Sequence, residues 1–234
     1  MKKLLGFVLF VLAVALTQPA LAGEPYFSFT GHKTLYFERY KSGSKRTIVQ
    51  STTMEIGEVE NIGKNRKVHY GLTMRKANGR EMYGGRSEQS VTILENGDVE
   101  MDFGATVMGM VKGMFPSFKT SYTGDPAIMP SVINPGDTLP DSHCVIHVGA
   151  FKVKVDVTGR KVLRRETITT PAGTFDCIVA REFKEERAPM HHVAIWSDTW
   201  YAHGVGYVRH DDLDDNMHPE TMEILISITP QNNP

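Results

Sequence analysis

Nine histidines, two cysteines, a group of methionines and one acidic run are the side chains whose types and spacing could do chemistry. His143 and His147 would share a metal on a helix, at i and i+4. Their segment alternates like a strand, however, where four residues span about 13 Å, too far for one ion. His191 and His192 are neighbours that a strand points to opposite faces, and His203, His210 and His218 lie near turns. No zinc-hydrolase arrangement is expected from them. Counted from Asp212, the residues Asp214, Asn216 and Glu223 take positions 3, 5 and 12 of an EF-hand-like loop. Met217 stands where that loop needs glycine, so a solvated acidic hairpin is the reading here. Gly-x-Ser-x-Gly, P-loop and Gly-x-Gly-x-x-Gly motifs are missing. No catalytic residue, metal ligand or cofactor is assigned; a metal carrier or enzyme using Met101–Met114 or the acidic loop is the third reading.

Cys144 and Cys177 lie 33 positions apart. A bridge between them would stabilise the fold by roughly 3.5–4 kcal/mol through loop-closure entropy. We expect a structural disulfide if the chain is exported, with two buried thiols on different strands as the alternative. Met101, Met108, Met110 and Met114 cluster, and no histidine lies between His69 and His143 to complete a copper site. Adaptable thioethers suit a core or a cavity lining instead.

The elements that must position these residues read as antiparallel β. Asn78-Gly79 and Asn96-Gly97 separate β-branched runs, a hairpin signal of the type I′ kind. Phe151, Val153, Val155 and Val157 alternate with Ala150, Lys152, Lys154 and Asp156, the period of a half-buried strand. About eleven strands in strict succession predict an all-β meander that curls into a half-barrel or barrel. Between Gly104 and Phe115 the period changes. Val107, Met110, Val111 and Met114 fall at i, i+3, i+4 and i+7, a helical stripe that must be buried, most simply on the concave face of the sheet. Pro116 ends that helix, and Phe118–Pro140 is expected to be irregular. Trp196 and Trp200 share one face of a strand. The candidate ligand-cavity residues are Val107, Met110, Val111, Met114 and Trp200.

Lys2 and Lys3, the uncharged run Leu4–Leu16 and Ala20-Leu21-Ala22 form a secretory signal, with cleavage expected between Ala22 and Gly23. Thirteen residues of helix reach about 20 Å, short of a hydrocarbon core of about 30 Å. No cysteine follows the expected cut, so no lipid anchor is expected, and no later run is long enough to span a membrane. Residues 23–234 then form one β-rich domain, periplasmic or secreted. The whole chain has 26 basic and 27 acidic residues for a net charge of −1, without the basic footprint of a nucleic-acid binder.

Three stretches resemble one family in wording and order. They are Asn134-Pro-Gly-Asp-Thr-Leu-Pro-Asp141, Glu166-Thr-Ile-Thr-Thr-Pro-Ala-Gly-Thr-Phe-Asp-Cys177 and Thr199-Trp-Tyr-Ala-His-Gly-Val-Gly-Tyr-Val-Arg209. With Tyr36-Phe-Glu-Arg-Tyr-Lys-Ser-Gly43 and the Asn96-Gly97 hairpin, the chain resembles the TapB family and the domain-of-unknown-function 3108 group, exported proteins of Gram-negative bacteria. The resemblance implies a half-barrel related to the LolA-like fold, wrapped on a helix. It names no activity. The leading expectation is a non-enzymatic exported protein that holds a lipid or other hydrophobic small molecule in an apolar cavity. An envelope assembly factor with a filled core and a protein partner is the alternative.

Overall fold

The computed structural model describes residues 23–43, 47–189 and 191–231. The signal segment, with Ala22, lies outside them. The first strands are β1 (Lys33–Lys41), β2 (Thr47–Ile62), β3 (Asn65–Lys76), β4 (Ser87–Ile93) and β5 (Val99–Met101). Helix α1 (Phe103–Met114) follows, then β6 (Thr120–Gly124), β7 (Ala127–Met129) and β8 (Ser142–Val148). The chain finishes with β9 (Phe151–Thr170), β10 (Gly173–Ala188), β11 (His191–Ala202), β12 (Gly206–Leu213) and β13 (Pro219–Pro230). All thirteen strands belong to one antiparallel sheet in the order β6-β8-β9-β10-β11-β12-β13-β1-β2-β3-β4-β5-β7.

The hairpin signals mark true reversals, but of another kind. The Gly97 N–H donates to Leu94 O at 2.9 Å and the Leu94 N–H to Asp98 O at 2.8 Å, with Gly97 left-handed at φ 87°. Type I′ would need Asn96 left-handed too. A three-residue loop closed by one left-handed residue serves instead, since it leaves asparagine in an easy conformation. Lys76–Arg80 repeats this geometry around Gly79, and Asp214–His218 repeats it with Met217 in the glycine position, at φ 63°.

The expected irregular stretch contains β6 and β7, the two edges of the sheet. They are neighbours in sequence, joined by Asp125 and Pro126, yet do not pair with each other. The sheet therefore curls without closing, and the barrel alternative is corrected to an open half-barrel. Short strands flanked by Pro126 and Pro130, which lack an N–H to donate, cannot complete a ladder there.

Helix α1 bridges the opening: it packs on β6 and β8 at one end of the sheet order and on β4 near the other. Asp102 caps it, accepting the Ala105 N–H at 2.9 Å and the Tyr122 hydroxyl. Val111 is buried in a cluster with Cys144, Ile146, Val148 and Val155, while Met110 packs against the main core of Phe37, Ile56 and their neighbours. Gly113 is required by proximity, because a Cβ there would meet the carbonyl of Tyr83.

The predicted disulfide is absent. Cys144 and Cys177 are both free and buried, and they belong to different core clusters. Along β9, Cys144 stands opposite Val155 and Cys177 opposite Glu166, eleven residues further on. That separation is about 36 Å along the strand, against the roughly 7 Å limit for bridged Cα atoms.

Candidate ligand cavity

The curl of the sheet leaves a cavity of about 210 Å³. Its lining comes from both ends and the middle of the sheet order: Leu35 and Phe37 of β1, Met54 of β2, Met101 of β5, Met129 of β7 and Tyr207 of β12. On β1 and β5 the lining residues alternate with outward-facing neighbours, while all three residues of the edge strand β7 reach the same space. Tyr26 and Phe27, from the segment preceding β1, also line it, and Tyr26 stacks on His203 at 3.8 Å.

One wall is charged. Arg160 of β9, only 7% exposed, pairs its Nε with Glu182 Oε2 of β10 at 3.3 Å. Its Nη1 donates to Pro140 O at 2.8 Å and to Ile128 O at 3.3 Å. The second of these bonds reaches across the unpaired edge of β7, so one guanidinium ties β9 to the far side of the opening. Burial pushes the neighbouring Tyr201 hydroxyl well above its ordinary range, and the Glu182 charge adds to it, so Tyr201 is a neutral donor at any physiological pH.

The residues expected to line a cavity are distributed differently. Val107 packs on the Val111 cluster, Met110 on the main core, and Met114 is 48% exposed at the end of α1. Trp200 is buried, with its indole N–H donating to Glu166 Oε2 at 3.0 Å beneath the Arg209 guanidinium. None of these five side chains is part of the lining; of the helix only Phe103 is, because α1 spans the seam instead of lying along the cavity floor. Met101, from the same methionine group, does line it. Sequence reasoning missed Arg160 and Glu182. No local pattern shows that a strand arginine is buried.

The other candidate groups are engaged in structural bonds. His143 bonds Asp156 at 2.8 Å, His192 bonds Glu185 at 2.9 Å, and His203 Nδ1 meets Glu24 O at 2.6 Å. In the acidic run, Asp211 takes the Arg209 guanidinium at 2.8 Å, and Asp214 accepts the Asn216 and His218 N–H groups at 2.9 Å each. Among the described residues no group of three His, Cys, Asp or Glu is placed to hold a metal. Burial raises the Cys144 thiol to about 11 and the Cys177 thiol to about 12, so neither is a nucleophile at neutral pH.

Comparison with known proteins agrees with this architecture. A structure from Bacteroides fragilis, described as an exported protein with a YmcC-like fold, shares 18% identity over 87% of this chain and 98% of its own, with a TM-score of 0.68. A second, from Parabacteroides distasonis and described as a lipoprotein, shares 19% identity over 88% of this chain and 99% of its own, with a TM-score of 0.69. At such identities the likeness is one of fold. Among the described residues no helix is long and apolar enough to cross a membrane. No curated protein matches the chain. The DUF3108-like family model matches residues 33–222, and the chain belongs to that family.

Proposed function

We propose that this protein is exported and holds a small hydrophobic molecule, or one end of a lipid acyl chain, in the half-barrel. The cavity of about 210 Å³ carries the reading. An apolar hole of about 150 Å³ accepts benzene, so this one has room for a ring or a short run of methylenes. Methionines 54, 101 and 129 around it adapt to ligands of differing shape. Arg160 and Glu182 offer a polar end, the arrangement by which largely apolar pockets orient an amphiphile.

The test is a titration of delipidated protein with N-phenyl-1-naphthylamine, followed by displacement with a medium-chain fatty acid. Saturable fluorescence at one equivalent, lost in Ala127→Phe, is the expected result. A folded, delipidated protein that enhances neither probe nor competitor signal overturns the reading.

A further inference from the structure

Four apolar side chains crowd one end of the molecule, away from the cavity lining. Phe115 ends α1 and meets Phe118 edge-on at 6.1 Å between ring centres. The Phe118 ring lies against Gly149 in the β8–β9 turn, and the Gly149 N–H donates to Lys119 O at 3.0 Å. Phe151 opens β9 on the other side of that turn. Met114, Phe115, Phe118 and Phe151 are 48%, 47%, 47% and 54% exposed. With about 200 Å² per aromatic side chain, they present together roughly 400 Å² of apolar surface, within the range of the largest apolar patch on a typical monomer, which is often functional.

The charges carried by the patch's own segments are of one sign. Lys112, Lys119, Lys152 and Lys154 are exposed, and neither residues 103–122 nor residues 142–154 contain an aspartate or glutamate. On the sheet the nearest acids by register, Asp156 and Glu186, lie further along β9 and β10, and Asp156 is bonded to His143; Glu81, on the loop that abuts Gly113, is bonded to Arg75 at 2.7 Å. Lys112 also complements the carbonyl end of α1, but that explains one lysine of four. The aromatics stand at a helix end, the turn after it and a hairpin end. Lys112, Lys119 and Lys152 are interspersed with them along the chain. Exposed aromatics and lysines in this combination match a bilayer interface carrying anionic headgroups, which takes aromatic rings at the acyl boundary and ammonium groups at the phosphates.

We infer that the α1 C-terminus and the β8–β9 turn dock this protein on anionic phospholipid membranes. The inference is independent of the cavity, since none of its residues lines it. The test uses chain recovered after export, its N-terminal residue established by mass spectrometry, in flotation with vesicles of phosphatidylcholine alone or with one quarter phosphatidylglycerol. Binding to the anionic vesicles that weakens with added salt is expected, and little to the neutral ones. Phe118→Ser with Phe151→Ser reduces the bound-to-free ratio at least tenfold. Lys112→Glu, Lys119→Glu and Lys152→Glu each reduce it at least about fivefold, the weight of one basic group near such a surface. Unchanged thermal melts keep these losses separate from unfolding, as the sites are exposed; should one serine variant melt early, the lysine series decides. Parent protein that fails to float with anionic vesicles, or variants that float as well as the parent, overturn the inference. Flotation unaffected while the same variants lose cross-linking to a protein partner also overturns it. Ala127→Phe floats like the parent even if it has lost the naphthylamine probe.

Discussion

Arg160 and Glu182 form an ion pair at 3.3 Å in the wall of a cavity otherwise built, apart from Ser142, from aliphatic, aromatic and thioether residues. The same guanidinium holds the Ile128 carbonyl on the unpaired edge of β7, so it serves both the lining and the closure of the seam. Arg160→Met leaves Glu182 without its cation and two carbonyls without their donor. We expect a loss of about 2–4 kcal/mol, at the lower end for buried pairs because Glu182 keeps some water. Arg160→Met with Glu182→Leu restores most of it, since no unpaired charge remains. Urea midpoints at constant m-value measure both.

Leu35 is buried in the cavity wall. Leu35→Ala should cost about 2–5 kcal/mol and enlarge the space. If the cavity is the ligand site, this variant binds the naphthylamine probe with equal or greater capacity, whereas Ala127→Phe binds none. Paired melts and titrations separate the stability effect from the binding effect.

Asp212 links the middle of the sheet to acid stability. Burial pushes its carboxyl up, but the His210 hydrogen bond and charge and the Arg39 guanidinium at 2.5 Å outweigh that and hold it well below the usual carboxylate range. A depressed folded pKa contributes stability that is fully present above the unfolded value of 3.8 and lost as pH falls through the folded one. Asp212→Asn should therefore cost about 2 kcal/mol at pH 7, and the gap to the parent should shrink below about pH 4. Denaturation curves across that range show whether it does.

Met217 occupies the left-handed position that Gly79 and Gly97 occupy in the two matching hairpins. A side chain costs about 1–2 kcal/mol there, partly offset by the greater freedom glycine has when unfolded. Met217→Gly should therefore stabilise the protein by about 0.5–1 kcal/mol. Thermal midpoints of parent and variant are the measure.

The two thiols provide a direct chemical check. Two free thiols should titrate with Ellman's reagent in denaturant, none should react in the native protein within minutes, and dithiothreitol should leave the melting curve unchanged. Their burial and raised pKa values both predict this inertness.

What was legible in the sequence is what neighbours in the chain decide. Asn78-Gly79 and Asn96-Gly97 marked reversals because a left-handed glycine is a local demand, and the Phe151–Val157 alternation marked a strand because one face of it is buried. The stripe through Val107, Met110, Val111 and Met114 located α1 to within a residue at each end. The neighbours of those elements were decided by the tertiary structure alone. Pairing of β1 with β13 and of β5 with β7 joins segments whose attraction leaves no periodic trace. That order puts α1 across the seam, so its stripe is shared between two clusters and Met114 is left in solvent. It also places Cys144 and Cys177 far apart on either side of β9, and turns Arg160, one strand arginine among several, into a buried clasp. A residue's own type and spacing govern its backbone and its preference for water; which residues it meets depends on strand order and curl, set by the whole sheet at once.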